Sequence, residues 1–399
     1  MMEPAHSFRF GYRPPVIRAG AGCIQSIGAE FEALGCDRVL VVCGRTVGQT
    51  DEVIEPVRTG LGEAHVGLFA QTTPEKRLET AIEGDALART VDADALLAVG
   101  GGSSLDTAKQ IAALSVRETP ETALEECRDK GTFDIPGGRV LPIGVVPTTL
   151  AGADLSIGAG VNADMPQATP DLVTGGISDP RLMPEVAVYD PDLAATTPRE
   201  ILAGSAMNGF NKGIETIYSS RSTPITDATA RAGLRRLIDS LPSLGHHEVT
   251  PGSMAPILEG IVLVQYGVSR RDGSTLSIIH AFGHGLSRTY DLQQGVAHAI
   301  VTPHVLEYVF EQVDGRREVL ATALDVPEGA DTVEGIVTQI RRLSTALELP
   351  TSLSEVPGPD PEDLPTVARE IAEDDLLANG PPGLEPTIAD IESILDRSY

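Results

Sequence analysis

Apolar residues in the first half of the chain form short β-rich runs that alternate with stretches of helical periodicity. The runs at residues 38–43 and 93–99 predict buried strands, and the stretches at 74–91 and 105–114 predict helices. A further strand is predicted at 140–147, where the chain runs into a Thr-Thr turn. Strands separated by helices indicate a parallel, doubly wound sheet.

The pattern changes at about residue 198, after which long segments of helical period replace the β-branched runs. A proline-rich stretch at 350–365 predicts a loop before the last helices, because proline breaks a helix interior. We therefore expect an α/β N-terminal domain built on a doubly wound parallel sheet at residues 1–198 and an all-α C-terminal domain at 199–399. The predicted helices of the second half include 200–219, 223–240, 255–269 and 277–288.

The 399 residues, 41% of them hydrophobic, are enough for a large buried core. A formal net charge of −27 repels nucleic-acid phosphates and anionic membranes, so we expect neither as a partner. No stretch approaches the roughly 20 apolar residues of a membrane-spanning helix, and the N-terminus lacks a basic region followed by an apolar block. We therefore expect a cytoplasmic protein. The four cysteines show no Cys-x-x-Cys spacing, which argues against a zinc site or a disulfide framework.

The basic residues are unevenly divided, with four lysines and 26 arginines. An acidic, lysine-poor composition is typical of adaptation to molar salt. At about 1 M ionic strength the Debye length is about 3 Å, so self-repulsion of the acidic surface is largely screened. We expect the cytoplasm of a salt-accumulating halophile, with an ordinarily acidic protein as the alternative.

A glycine cluster follows the second predicted strand, where Gly100, Gly101, Gly102 and Ser103 open a helix. Glycines let the backbone approach a pyrophosphate closely, and the free amides at the helix start favour its negative charge. Placed between a strand and a helix, the cluster predicts a dinucleotide-binding loop. The alternative is a plain tight turn.

The end of the first predicted strand bears on the choice of cofactor. In doubly wound folds an acidic residue near this point often binds the ribose hydroxyls of NAD and repels the extra phosphate of NADP. Here Gly44 removes that repulsion, and Arg45 offers a cation for the phosphate. We expect NADP, with NAD still possible; alternatively, Gly44 only turns the chain and Arg45 is solvated.

Residues 100–109, with the pattern Gly-Gly-Gly-Ser-x-x-Asp-x-Ala-Lys, resemble the nucleotide loop of the iron-containing alcohol dehydrogenase superfamily. Residues 148–156 resemble the Thr-Thr-Tyr-Ala-Gly-Ser-Glu form found in its maleylacetate reductase branch. The resemblance implies hydride transfer in a cleft between the two domains, and it implies a homo-oligomer. It also adds four residues to the expected cofactor-binding set: Asp106, Lys109, Thr148 and Thr149. Further matching pieces follow in the same order: Tyr189-Asp190-Pro191, residues 204–215, His280-Ala281-Phe282-Gly283-His284 and Pro303-His304.

The resemblance breaks down at the metal ligands. Metal-dependent members hold their ion with Asp-x-x-x-His and two later histidines fourteen residues apart. The matching positions here are Asn208, Lys212, His280 and Gln294, so one ligand of four is kept. An ammonium about 4 Å from a cation costs roughly 4 kcal/mol per charge pair at an effective dielectric of 20. We therefore expect no tightly bound catalytic metal.

Without a metal, another group must protonate the carbonyl oxygen when hydride reaches the carbon. Lys212 takes the place of a ligand, and partial burial lowers the pKa of a lysine. His280 and His284 lie four residues apart and share a helix face, so we expect both to act with Lys212 in catalysis. The polar residues expected to bind a carboxylate or carbonyl substrate are Asn208, Gln294 and His298.

These inferences predict a metal-independent oxidoreductase that transfers hydride between NAD(P)H and a small carbonyl substrate, an oxo acid as in maleylacetate reductase. One alternative is an iron- or zinc-dependent alcohol or diol dehydrogenase with an atypical site at His280, His284 and His298. Two others are a lyase resembling dehydroquinate synthase and a nucleotide-binding protein without catalytic activity.

Overall fold

A computed structural model describes residues 8–165, 172–246, 248–290 and 292–399. Within them, six strands form one parallel sheet in the order β1-β8-β5-β4-β2-β3, while β6–β7 and β9–β10 form two antiparallel pairs. The predicted doubly wound sheet is thereby confirmed. The strands are β1 (Val16–Ala19), β2 (Val39–Gly44), β3 (His65–Thr72), β4 (Ala95–Gly100), β5 (Ile143–Pro147), β6 (Gly158–Asp164), β7 (Leu172–Ser178), β8 (Val186–Tyr189), β9 (Ser269–Arg270) and β10 (Gly273–Ser274).

Helices flank the sheet in the first half and make up most of the second half. None of those in the described part of the chain is both long and apolar enough to cross a membrane. The helices of the first half are α1 (Ile27–Ala33), α2 (Arg45–Gln49), α3 (Asp51–Leu61), α4 (Leu78–Thr90), α5 (Gly102–Leu114), α6 (Thr122–Lys130) and α7 (Pro191–Ala194). Those of the second half are α8 (Arg199–Tyr218), α9 (Pro224–Ser240), α10 (Ser243–His246), α11 (Pro251–Gln265), α12 (Ile278–Tyr290), α13 (Gln294–Gln312), α14 (Arg317–Ala323), α15 (Thr332–Ala346), α16 (Leu364–Ala372) and α17 (Ile388–Ser398).

Several predicted elements differ from the structure, among them the helix predicted at 255–269, which ends at Gln265 before β9 begins at Ser269. The helix predicted from residue 74 begins at Leu78, because Lys76 adopts a left-handed backbone with φ of 52° that no helix continues through. The strand predicted from residue 140 begins at Ile143. The second half is not purely helical, since β9 and β10 form a short hairpin in which Gly273 has φ of 137°.

The central strands β2 and β4 are continuous apolar runs because both faces of the sheet are covered. Alternate residues of β2 enter different cores: Val39 and Val41 face a small core under α1 and α3, while Leu40 and Val42 face a large one. The large core continues into the helical half and includes α8, which is buried from Leu202 to its end at Tyr218.

The strand order reverses between β2 and β4. From β2 the chain moves outward to β3, and from β4 it moves the other way to β5 and β8. Ligands of open α/β sheets bind outside the carboxyl ends of the strands at such a switch point. The crevice is bordered here by Gly44 at the end of β2 and Gly100 at the end of β4.

Candidate active site

The glycine loop has the backbone that its sequence predicts. Gly100 has φ of 133°, which residues with a side chain rarely adopt. A Cβ atom on Gly101 would lie 3.0 Å from Cγ2 of Thr149, so the two loops touch. Helix α5 begins at Gly102 with no side-chain cap, which leaves its first amides for an anion in the crevice.

Two polar residues of the same motif are held inside the protein. Asp106 forms an ion pair with Lys76 at 2.7 Å and accepts a hydrogen bond from the backbone N–H of Gly160. Lys109 is fully buried and donates to the carbonyls of Ala153 and Gly158 at 2.9 and 3.0 Å. Burial lowers the pKa of Lys109 to about 8. As placed, both side chains hold the segments after β5 in position instead of reaching into the crevice.

Gly44 and Arg45 lie at the switch point. The backbone of Gly44 is extended, with φ of −76°, so this residue does not turn the chain. A Cβ atom there would lie 3.4 Å from the carbonyl oxygen of Thr72, an ordinary contact distance. Arg45 is the first residue of α2, and its side chain is exposed.

One loop, residues 148–154, connects the nucleotide loop with the helical half. At its start Thr148 donates its backbone N–H to the carbonyl of Gly100 at 3.0 Å. Further along, Leu150 donates its N–H to the hydroxyl of Ser205 on α8, and the carbonyl of Gly152 accepts a hydrogen bond from Lys212. The same short loop therefore positions both a predicted cofactor contact and a predicted catalytic group.

Lys212 is buried, with 8% of its surface exposed. Burial lowers the pKa of this lysine below its ordinary value, although the charges of Asp154, Asp106 and Glu215 act in the opposite direction. Gly152 faces the ammonium closely, since a Cβ atom there would lie 3.2 Å from Nζ. The ammonium of Lys212 is thus fixed against the loop that also contacts Gly101.

Asp154 is a residue of the site that the motif analysis did not assign. Its buried carboxylate accepts hydrogen bonds from the hydroxyl of Tyr189 and from Nε2 of Gln265, the latter at 2.5 Å. Its one available signal was its place at the Glu position of the Thr-Thr-Tyr-Ala-Gly-Ser-Glu pattern. It supplies the largest opposing charge near Lys212.

His280, Asn208 and Gln294 are joined by hydrogen bonds. Nε2 of His280 lies 3.1 Å from Oδ1 of Asn208, and Nδ2 of Asn208 donates to Oε1 of Gln294 at 2.9 Å. Nδ1 of His280 lies 2.5 Å from Oε2 of Glu215. Burial lowers the pKa of His280 well below its ordinary value, and Lys212 adds to this effect, so both favour the neutral ring.

Glu215 was also not assigned from the sequence. It stands three residues after Lys212 and seven after Asn208, on the same face of α8. Its Oε1 accepts the backbone N–H of His280 at 3.0 Å and the hydroxyl of Ser277 at 3.4 Å, at the start of α12. Burial raises the pKa of Glu215 to about 8, against the effect of these hydrogen bonds.

The other two predicted histidines are placed differently. His284 turns to Asp374, with Nδ1 2.8 Å from the carboxylate. His298 is fully buried behind His280, their rings 4.6 Å apart and edge to face. Within the described ranges, neither ring nitrogen of His298 has a hydrogen-bond partner.

Comparison with known proteins agrees with this architecture. A family model of the iron-containing alcohol dehydrogenases matches residues 14–191, and a C-terminal model of the Fe-containing alcohol dehydrogenase family matches residues 202–399. This chain belongs to the iron-containing alcohol dehydrogenase family. It is therefore an NAD(P)-dependent dehydrogenase or reductase.

Relatives of the iron-containing alcohol dehydrogenase family match nearly the whole chain. A maleylacetate reductase of Sphingobium indicum is 28% identical over 353 residues, which are 88% of this chain and 88% of the other. An NAD-dependent methanol dehydrogenase of Bacillus methanolicus is 24% identical over 395 residues, covering 96% and 98%. The structure of an alcohol dehydrogenase from Oenococcus oeni superposes with a TM-score of 0.87 at 22% identity, covering 98% and 100%.

The residues at the family's metal position do not fit an iron or zinc ion. They offer an ammonium, two neutral amides and one imidazole, whereas these ions require imidazole, thiolate or carboxylate ligands. Among the residues that the structure describes, no three His, Cys, Asp or Glu side chains are grouped to hold a metal. The alternative site at His280, His284 and His298 is not assembled, because His284 is directed to Asp374.

Proposed function

We propose that this protein reduces a small oxo acid with hydride from NAD(P)H and without a metal, as a maleylacetate reductase-like enzyme. The observation that carries the proposal is the position of Lys212. Lys212 stands at a ligand position of the family's metal site, and its ammonium is bound to Gly152, in the loop whose residue Thr149 touches the nucleotide loop at Gly101.

The reaction divides between the cofactor and the protein. The reduced nicotinamide, when bound, would supply the hydride for the new C–H bond at the carbonyl carbon and would itself be oxidised. Lys212 gives a proton to the carbonyl oxygen as the alkoxide develops, so an N–H bond breaks and an O–H bond forms. A lysine with a lowered pKa releases that proton more readily than an ordinary one and regains it from water.

The crevice between β2 and β4 would hold the dinucleotide. The glycines at 100–102 and the first amides of α5 would bind its pyrophosphate. Gly44 carries no acidic side chain that would repel a phosphate, and the exposed Arg45 supplies a positive charge at the same strand end. These features favour NADPH over NADH.

An anionic substrate suits the neutral amides of the site. Nε2 of Gln294 is a buried donor without a partner in the described part of the chain, and one turn along α13 both ring nitrogens of His298 are unpartnered too. Buried polar atoms normally have partners, so these atoms mark a place for a polar ligand. A carboxylate accepts the hydrogen bonds that they offer.

The test is oxidation of NADPH and NADH by chelator-treated protein in molar KCl. Maleylacetate, other oxo acids and small aldehydes without a carboxylate serve as substrates. We expect turnover of an oxo acid without added metal, faster with NADPH than with NADH. Activity that appears only after iron or zinc is added would overturn the proposal.

A further inference from the structure

Three buried side chains and the partly buried Gln294 form one continuous chain of hydrogen bonds, and the direction of that chain decides whether Gln294 presents a donor or an acceptor at its end. The sequence of contacts is Glu215, His280, Asn208 and Gln294, at 2.5, 3.1 and 2.9 Å. Each contact needs one donor and one acceptor. A neutral ring of His280 carries one proton, on either Nδ1 or Nε2, so the chain then has two possible directions.

In the first direction Glu215 is protonated. Its Oε2–H donates to Nδ1 of His280, the Nε2–H of the ring donates to Asn208, and the amide of Asn208 donates to Gln294. Every contact is then satisfied with the amides oriented as they stand, and Gln294 ends the chain with a free N–H group.

In the second direction Glu215 is ionised and accepts the Nδ1 proton. Nε2 of His280 is then an acceptor, so the amides of Asn208 and Gln294 must both rotate by half a turn. Such rotations exchange nitrogen for oxygen at nearly the same place. The chain would then end in the carbonyl oxygen of Gln294, which repels a carboxylate.

We propose that Glu215 is a positioning residue that stays neutral and directs this chain toward Gln294, so that Gln294 offers an N–H donor to the carboxylate of the substrate. The amide orientations support the neutral form. Oδ1 of Asn208 faces Nε2 of His280 and accepts the ring proton, which leaves Nδ1 to accept a proton from Oε2 of Glu215. The backbone N–H of His280 and the hydroxyl of Ser277 donate to Oε1 and favour the ionised form, but they leave Oε2 to face the ring nitrogen. Burial acts on both partners toward the neutral pair.

The first experiment follows the proton of His280 and does not depend on activity. In protein labelled with ¹⁵N-histidine, the ring nitrogen shifts show which nitrogen is protonated, and the loss of signals in His280→Asn assigns them. Glu215→Gln is the reference variant. With its oxygen held by the His280 N–H and Ser277, the Gln amide donates to Nδ1 and fixes the proton on Nε2.

We expect wild type and Glu215→Gln to show the same Nε2–H form. A wild-type spectrum with the proton on Nδ1 would overturn the proposal even if the enzyme reduces oxo acids. Conversely, an Nε2–H spectrum stands if no oxo acid is turned over, in which case only the proposed function fails.

The second experiment tests the end of the chain and rests on the proposed function. Gln294→Met removes the donor and keeps the length of the side chain. We expect KM for an oxo acid to rise about tenfold to a hundredfold, as for a lost hydrogen bond to a charged group. The KM for an aldehyde without a carboxylate should stay within about twofold. An equal rise for both substrates would assign Gln294 a packing role and overturn its part in the proposal.

Discussion

Lys212 is the single residue whose replacement tests the proposed chemistry most directly. Lys212 is buried close to Asp154. Met keeps the apolar part of its side chain and removes the ammonium. We expect Lys212→Met to lower kcat for carbonyl reduction by about 10²–10⁴-fold, the usual contribution of a general acid. Binding of NADPH, measured by its fluorescence, should not change. Lys130→Met, at an exposed helix end, is the matched control, and turnover of Lys212→Met near the wild-type value would contradict this role.

The pH dependence of the reaction follows from the same lysine. Burial lowers its pKa, and reduction uses its protonated form. The kcat for reduction should therefore fall as pH rises through this lowered pKa, while the kcat for alcohol oxidation should rise, because oxidation needs the neutral amine. Initial rates in both directions across the pH range measure this. An unchanged titration in Lys212→Arg, whose guanidinium stays charged, would assign it to another group.

Gly152 allows the contact between the loop and Lys212. Its φ is 77°, and an added Cβ atom would lie 2.9 Å from Oε1 of Gln265 and 3.2 Å from the ammonium. We expect Gly152→Ala to cost about 1–3 kcal/mol of stability and to lower kcat by displacing Lys212. Thermal unfolding and turnover are measured together. Gly137→Ala, where the new methyl group enters open space, should match wild type in both; a Gly152→Ala enzyme with full kcat would contradict the positioning.

At the scale of elements, β2 and β4 border the switch-point crevice, and we expect the end of β2 to determine the choice between NADP and NAD. Gly44 has space for a side chain, since its added Cβ atom would contact Thr72 only at 3.4 Å. We expect Gly44→Asp to raise KM for NADPH by about tenfold or more through repulsion of the 2′-phosphate, and to leave KM for NADH unchanged or lower. Gly137→Asp, which adds the same charge at an exposed position in the segment before β5, is the matched control and should change neither KM. Equal effects of Gly44→Asp on both cofactors would contradict the assignment.

The elements show where sequence patterns suffice. The apolar runs of β2 and β4 and the glycine loop could be predicted because burial on both faces and a positive φ each restrict the residues allowed. The hydrogen-bond partners of His280 and His284 could not be predicted in this way. A spacing of four places His280 and His284 on one helix face, but Asp374, 90 residues further on, captures His284.

The carboxylates of the site were missed for a related reason. A lone Glu or Asp in a sequence carries no mark of burial, and Glu215 and Asp154 acquire their roles from partners on other elements. Lys109 shows the reverse case. Its motif predicts a cofactor contact, yet the loop after β5 folds over it and supplies two carbonyl acceptors. Such pairings depend on long-range packing that no local pattern records.

At the scale of the whole molecule, the two halves form one unit. The large core runs without a break from the strand residue Leu40 to Leu395 in the last helix. The loop at residues 148–154 adds polar contacts to both sides. A change that destabilises the whole fold therefore also disturbs the site, because both depend on the same core.

The net charge of −27 produces repulsion across the whole surface. Like charges on a compact surface repel one another, and unfolding relieves the repulsion by moving them apart, so the folded state loses stability in dilute buffer. Salt shortens the range of the repulsion from about 10 Å at 0.1 M to about 3 Å at 1 M, while partly buried ion pairs such as Lys76 with Asp106 are screened less.

We expect Tm to rise by several degrees or more between these concentrations, equally in NaCl and KCl. Sucrose, which stabilises by exclusion and carries no charge, separates screening from general stabilisation. A Tm independent of salt would show that surface repulsion contributes little to the stability of this fold.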